Sequence, residues 1–550
     1  ALIGIIVWVV RQKQNDSADY FLGGRDATWL AIGASIFASN IGSEHLIGLA
    51  GAGASSGMAM AHWEIQGWMI LILGWVFVPF YTRSMVYTMP EFLERRYNPQ
   101  SRTILSVISL VSYVLTKVAV TVYAGGLVFQ QVFGIKELWG IDFFWIAAIG
   151  LVVLTALYTI FGGMKSVLYT SVLQTPILLL GSLIILVLGF KELGGWDEMM
   201  RVCGAVTVND YGDTMTNLIR SNDDANFPWL GALIGSAIIG FWYWCTDQFI
   251  VQRVLSGKNE MEARRGTIFG AYLKLLPVFL FLIPGMIAFA LHQKYIGAGG
   301  EGFLPMLANG TANADAAFPT LVAKLLPAGV KGLVVCGILA ALMSSLASLF
   351  NSSAMLFTID FYKRFKPETP EKKLVGIGQI ATIVIVVLGI LWIPIMRSVG
   401  DVLYTYLQDV QSVLAPGIAA AFLLGICWKR TSAQGGMWGL ISGMVIGLTR
   451  LGAKVYYSNA GEVADSTFKY LFYDMNWLFF CGWMFLFCII VVIVVSLATE
   501  APTAEKIQGL VFGTTTKEQK AATRASWNHW DIIHTVIILA ITAAFYWYFW

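Results

Sequence analysis

Long apolar runs recur from one end of the chain to the other, and short polar connections separate them. Many runs reach the roughly 20 residues that a helix needs to cross about 30 Å of hydrocarbon. The pattern predicts an all-α polytopic membrane protein with about 14 transmembrane helices. The apolar residues 1–12 are too few to span a bilayer and run into basic residues. We expect them to be the end of a truncated first helix.

Two apolar runs are interrupted by polar residues. The run at 29–55 contains a polar, glycine-containing stretch, and the run at 230–252 contains an aromatic and polar one. Helices broken at membrane depth line cavities, because unpaired backbone groups do not face lipid. The two interruptions occupy corresponding positions in two five-helix units. This predicts an inverted repeat with halves at 29–190 and 230–426, followed by additional helices within 432–550.

Composition and charge narrow the function. Only 13% of residues are charged, about half the share typical of soluble domains, and the net charge of +3 favours no nucleic-acid partner. If the connections alternate sides, the set richer in Lys and Arg is cytoplasmic and both termini face outward. The sequence contains no HExxH motif. These features favour a transporter over an enzyme.

Two lysines lie inside apolar runs. Lys117 and Lys274 would each cost about 2.5–3.5 kcal/mol at the centre of a bilayer even on the lenient insertion scale. Such residues face protein or water instead of lipid, and they mark functional sites more often than not. The same argument applies to Glu64. No role for Lys117 follows from the sequence beyond packing or lining a cavity.

Several motifs together resemble the sodium/glucose cotransporter family, and the resemblance runs nearly end to end. These motifs are Ala38-Ser39-Asn40-Ile41-Gly42-Ser43 with His45, Trp242-Tyr243-Trp244-Cys245-Thr246-Asp247-Gln248, Tyr272-Leu273-Lys274-Leu275, Leu342-Met343-Ser344-Ser345-Leu346 and Phe350-Asn351-Ser352. The resemblance implies a leucine-transporter-type inverted repeat of 5+5 helices. It also implies import of a hexose such as glucose or galactose, with Na⁺ as the coupling ion.

The resemblance implies a sodium site built from a broken helix and a later serine-containing helix. Its residues here are Ala38, Ile41, Ala341, Ser344 and Ser345. Oxygen ligands suit a hard cation, and positions 341, 344 and 345 share one helical face. From the residues alone, the favoured interpretation is that these serines bond to the preceding helical turn or to a neighbouring helix.

The resemblance also implies a sugar site near the middle of the membrane. Its residues here are Asn40, His45, Glu64, Tyr243, Trp244, Lys274 and Gln408. A neutral polyol needs mixed donors and acceptors together with an aromatic face, and this set supplies them. Glu64 and Lys274 are expected to neutralise each other, which lowers the cost of burying both.

The chain departs from the family pattern at three positions. Gly240 stands where sugar-transporting relatives carry Thr or Asn, which removes one direct partner of the sugar. Ser171 and Ala347 stand where relatives that move a second sodium carry an Asp and a hydroxyl. The second cation would lose these oxygen ligands, so we expect one sodium per sugar.

Two alternatives remain open. Relatives on the same scaffold carry other cargo, and myo-inositol is the main competitor because it is also a neutral polyol. A sugar sensor or an uncoupled sodium channel is the second alternative. In each case the expected partners are a small solute, the sodium ion and membrane lipid. The expected location is the plasma membrane, in particular a bacterial inner membrane.

Overall fold

The computed structural model describes residues 16–42, 44–307, 310–398, 403–459 and 464–550. The helix expected at residues 1–12 lies outside these ranges. Up to the second broken helix the α-helices are α1 (Ser17–Leu22), α2 (Trp29–Asn40), α3 (Ala50–Ser56), α4 (Ala61–Glu64), α5 (Gly67–Ile72), α6 (Val78–Ser84), α7 (Met89–Arg96), α8 (Pro99–Ser112), α9 (Ala119–Phe133), α10 (Phe143–Leu193), α11 (Trp196–Gly204), α12 (Trp229–Gly240) and α13 (Gln248–Leu255).

The remaining elements continue the helical architecture. The later α-helices are α14 (Glu260–Lys274), α15 (Ile283–Gly297), α16 (Ala317–Leu325), α17 (Ala328–Met355), α18 (Lys363–Phe365), α19 (Glu371–Ser398), α20 (Leu403–Cys427), α21 (Ala433–Asn459), α22 (Thr467–Lys469), α23 (Trp477–Ala498), α24 (Ala504–Ile507), α25 (Lys517–Ala525) and α26 (His529–Tyr548). The strands β1 (Glu137–Leu138) and β2 (Ile141–Asp142) form one short antiparallel pair between α9 and α10.

Within the described residues, nine helical stretches are long and apolar enough to cross a membrane. The longest, α10, has 51 residues. At 1.5 Å per residue it would extend about 75 Å if straight, more than twice the thickness of the hydrocarbon. Gly163 interrupts it with φ 52° and ψ −152°, a conformation open to glycine. This break divides α10 into two parts, whereas the count of fourteen spans stays a prediction.

Small residues bring the central helices together. A Cβ atom on Gly33 of α2 would lie 2.5 Å from the ring of Phe269 and 2.9 Å from the carbonyl oxygen of Gly266, both on α14. In the opposite direction, a Cβ on Gly266 would lie 2.6 Å from Ile32. Close approach through small residues is how membrane helices gain packing energy without a hydrophobic driving force. The helix α10 packs against both α2 and α17.

Two late helices lie at the periphery. Only 33% of the apolar window of α23 and 22% of that of α26 are buried. Large apolar side chains such as Trp483, Ile490 and Val494 are exposed on α23. Exposed apolar surface of this extent is what a lipid environment requires.

Both predicted helix interruptions are present. The helix α2 ends at Asn40, and Ile41 adopts an extended backbone with φ −81° and ψ 97°. The chain resumes as a π-helical turn at Glu44–Leu49. The second break follows α12, where a π-helical turn at Phe241–Thr246 leads to Asp247, which is extended and caps α13. The ends of these broken helices frame the site.

Candidate functional site

A cavity of about 50 Å³ lies between the two broken helices, α14 and α20. This volume holds a few water molecules and is far below the roughly 300 Å³ of typical ligand pockets, so a ring-sized solute requires the surrounding helices to move apart. The predicted sugar-site residues that line it are Asn40, His45, Tyr243, Trp244, Lys274 and Gln408. Glu64 is buried behind them instead of lining the cavity.

Lys274 and Glu64 form a buried ion pair, as the sequence predicts. Lys274 Nζ donates to Glu64 Oε2 at 2.6 Å and to Asn40 Oδ1 at 3.2 Å. His45 Nε2 lies 3.4 Å from the same Glu64 oxygen. The pair adds no net charge to the cavity, which Lys274 lines together with two other charged residues, Glu44 and Lys117. Glu64 therefore orients the side chains of Lys274 and His45 and does not itself line the cavity.

A hydrogen bond joins the two broken helices across the cavity. Asn40 Nδ2, at the end of α2, donates to the hydroxyl of Tyr243 at 3.1 Å. The Tyr243 ring packs edge-on against Trp244 with centroids 4.9 Å apart. The ammonium of Lys274 lies 5.4 Å from the centre of the Trp244 ring. The site thus combines hydrogen-bonding groups with an aromatic face that suits the C–H groups of a ring.

Gln408 supplies an acceptor with capacity to spare. Its Oε1 atom is buried and has no hydrogen-bond partner among the described residues. A buried amide oxygen without a donor costs about 1–3 kcal/mol. A hydroxyl-bearing ligand in the cavity would recover that cost. Gln411, one helical turn later, lines the same wall but was not predicted from the sequence.

The sodium-site prediction concerns oxygen atoms where α2 ends beside α17. The hydroxyl of Ser345 donates to the carbonyl oxygens of Ser39 at 3.0 Å and Ile41 at 3.4 Å. The hydroxyl of Ser344 lies 3.2 Å from that of Ser171. Because α2 stops at Asn40, the carbonyls of its last turn lose their intrahelical donors.

The two alanines of the predicted sodium set are buried on the same helices. Ala38 lies about one turn before Ile41, and Ala341 lies one turn before Ser345. Their side chains carry no ligand atom, so only their carbonyl oxygens could contribute. Taken with the serine hydroxyls, the donor set consists of uncharged oxygens and fits a hard monovalent cation.

Lys117, for which the sequence suggested no role, pairs with Asp247. The carboxylate of Asp247 also accepts from the hydroxyl of Tyr113 and caps α13 through the Phe249 amide at 3.2 Å. The Lys117 ammonium lies 4.8–5.4 Å from the centres of four aromatic rings, including that of Tyr243. An Asp in an apolar span was the available sequence signal for this pair.

Comparison with known proteins agrees with this architecture. The model of the sodium:solute symporter family matches residues 20–443. The chain is 36% identical to sodium/myo-inositol cotransporter 2 of Homo sapiens over 527 residues, covering 93% of this chain and 77% of that protein. It is 37% identical to the sodium/myo-inositol cotransporter of Canis lupus familiaris over 536 residues, covering 93% and 74%.

A solved structure supports the fold directly. A Na⁺-coupled sialic acid symporter, in a substrate-bound outward-open state, superposes with a TM-score of 0.71 at 22% sequence identity. The match covers 91% of this chain and 98% of that one. The predicted leucine-transporter-type fold, all-α apart from the short β1–β2 pair, is confirmed. The boundaries assigned to its repeats stay predictions.

Proposed function

Because this chain belongs to the sodium:solute symporter family, we propose that it uses the sodium gradient to import a neutral cyclic polyol, with myo-inositol as the first candidate. The single observation that carries the cargo class is the buried Lys274–Glu64 pair beside the cavity. A pair without net charge is poorly suited to an anionic solute, which would want an uncompensated cation or a free helix N-terminus.

The hydrogen-bonding groups favour a polyol over other neutral solutes. Asn40 and Gln408 can each donate and accept, Lys274 donates, and Trp244 offers a ring face. Every hydroxyl of a polyol both donates and accepts, so each can pair with one of these groups. A site of this kind rejects an analogue that lacks a hydroxyl, because its own buried polar groups are then left unpaired.

Myo-inositol ranks ahead of the hexoses because of the relatives. The similar proteins named above are sodium/myo-inositol cotransporters, whereas the sequence motifs first suggested glucose or galactose. Myo-inositol and a hexose present comparable rings of hydroxyl groups. Hexoses therefore remain the second cargo to test.

Sodium is the proposed coupling ion, held by the carbonyl and hydroxyl oxygens at the end of α2 and on α17. Ser171 contributes a hydroxyl where a second cation would want a carboxylate, so we propose one sodium per polyol. A 100 mV potential and a tenfold sodium gradient together provide about 3.7 kcal/mol for one ion. This sustains a polyol gradient of a few hundredfold, enough for scavenging.

Coupling follows from the position of the two sites at the same helix break. Ile41 contributes a carbonyl towards sodium, and the adjacent Asn40 bonds to Tyr243 and Lys274 at the polyol site. An ion that orders the end of α2 thereby positions Asn40 for the solute. By linkage, the solute must strengthen sodium binding by the same factor.

The test is uptake into proteoliposomes with an inward sodium gradient. Radiolabelled myo-inositol, glucose and galactose are compared, with potassium and proton gradients as controls. We expect concentrative uptake that requires sodium, with myo-inositol preferred. Sodium-driven uptake of glucose or galactose without uptake of myo-inositol would make a hexose the cargo. Sodium current without solute flux would identify an uncoupled channel. Absence of sodium-dependent uptake of all three solutes would refute the proposal.

A further inference from the structure

The wall of the cavity formed by Gly240 is covered by the side chain of Gln66, which lies between α4 and α5. A Cβ atom on Gly240 would lie 2.5 Å from Oε1, 2.9 Å from Cδ and 3.0 Å from Nε2 of Gln66. All three distances are shorter than ordinary contacts, so the carboxamide occupies the space that a side chain at position 240 would take. Both residues line the cavity.

Gln66 is fixed in this position. It stands between α4 and α5, two residues after Glu64, and is 2% exposed. Its Nε2 atom donates to the carbonyl oxygen of Ser236 on α12 at 2.8 Å. Because that carbonyl can only accept, the amide NH₂ must face it, and Oε1 must lie on the side of Gly240. The Oε1 atom has no hydrogen-bond partner among the residues that the structure describes. An anchored carboxamide loses little further entropy when this oxygen receives a ligand.

We infer that Gln66 is a specificity-determining residue, whose Oε1 accepts a hydrogen bond from one ring hydroxyl of the solute at the Gly240 wall. This rests on the proposed polyol cargo. The missing side chain at position 240 is then not a loss of recognition, because the glycine makes room for a polar group from the segment between α4 and α5. The solute hydroxyl at this wall donates its proton to Gln66 Oε1. The site therefore favours a ring stereoisomer that directs a hydroxyl towards this wall.

The two positions allow a reciprocal substitution experiment. Half-saturation is measured at saturating sodium for whichever of myo-inositol, glucose and galactose the wild-type protein accumulates, together with its single-deoxy analogues. For Gln66→Ala we expect a rise of about fivefold to tenfold, the range of one net hydrogen bond. The same variant should stop discriminating against one particular deoxy analogue. A packing role alone would not remove that discrimination.

Gly240→Thr is expected to be at least as impaired as Gln66→Ala, since its Cβ overlaps the carboxamide. The double variant Gln66→Ala with Gly240→Thr removes the overlap and supplies a hydroxyl at the same wall. It should recover most of the affinity. The matched control is Gln66→Ala with Gly240→Ala, which removes the overlap without adding a hydroxyl and should stay weak. Thermal unfolding of each purified variant checks that the fold is retained.

The possible outcomes test the role of Gln66 separately from the proposed polyol transport. If the wild type accumulates a solute and Gln66→Ala has the same half-saturation and the same analogue preference, the role of Gln66 is overturned and the polyol cargo is not. Equal recovery by the Thr and Ala double variants also overturns it, because packing would then suffice. A wild type that accumulates none of the three solutes refutes the polyol cargo, and with it any polyol specificity at this wall.

Discussion

Two buried lysine–carboxylate pairs lie near Tyr243, and they differ in what surrounds the ammonium group. Lys274 bonds to Glu64 and Asn40 and approaches one ring, that of Trp244. Lys117 pairs with Asp247 and is enclosed by four rings. The same pair of functional groups therefore occupies a polar setting in one case and an aromatic cage in the other.

The carboxylates differ as well. Besides pairing with Lys117, the Asp247 carboxylate accepts a hydrogen bond from the Tyr113 hydroxyl and caps α13. Its oxygens therefore stabilise the break in the second broken helix. Glu64 serves Lys274 and His45, whose side chains line the cavity. The comparison suggests that the Asp247 pair holds the backbone break in place, whereas the Glu64 pair presents donors to the solute.

The largest expected effect is on stability, at the structural pair. Asp247→Asn keeps a side chain that can cap α13 but leaves the Lys117 ammonium buried without its counter-charge. We expect the free energy of unfolding to fall by about 3–5 kcal/mol. Thermal unfolding of the purified protein measures it. The double variant Lys117→Met with Asp247→Asn should regain most of the loss, and failure to do so would show that the charge pairing is not what stabilises the break.

The next effect separates the two pairs by function. Lys274→Met with Glu64→Gln also removes a whole charge pair, so its stability should stay near that of the wild type. Its solute half-saturation should nevertheless rise about 100-fold, because the cavity loses a charged donor worth roughly 1.5–3 kcal/mol and the orientation of Asn40. Uptake assays measure the change. Retention of normal affinity would make this pair as structural as the other.

A smaller effect is expected at the junction between ion and solute. Ser345→Ala removes the hydroxyl next to the Ile41 carbonyl and should raise the sodium half-saturation of uptake about tenfold, which corresponds to about 1.4 kcal/mol. The matched control is Ser348→Ala, which removes a hydroxyl bonded to that of Ser39 at 2.7 Å outside the proposed ligand set. Similar sodium dependence in both variants would contradict the assignment of Ser345.

The smallest effect tests the bond between the broken helices. Tyr243→Phe keeps the ring against Trp244 but removes the hydroxyl that accepts from Asn40. We expect solute half-saturation to rise about threefold to fivefold, the net value of one neutral hydrogen bond. Tyr158→Phe is the control, since its hydroxyl donates to the Met343 carbonyl away from the cavity. An equal effect in both variants would indicate a general loss of packing.

Much of the architecture was open to prediction because the membrane imposes it. Spans, the two helix breaks and the cost of burying Lys274 and Glu64 follow from the length and polarity of local segments. The pairing of Glu64 with Lys274 could be anticipated, because two opposite charges at membrane depth have few other ways to be neutralised. The position of Glu64 behind the lining, however, depends on the relative rotation of α4 and α14.

Repeated crossing of the membrane, two broken helices and buried charges that need partners could all be predicted from the amino-acid sequence, since each is a property of contiguous residues. The pairing of Lys117 with Asp247 and the packing of Gln66 beside Gly240 became visible only in the folded protein. These contacts join residues 130 and 174 positions apart. Such contacts depend on how whole helices are rotated and spaced against one another, and no local pattern encodes that geometry.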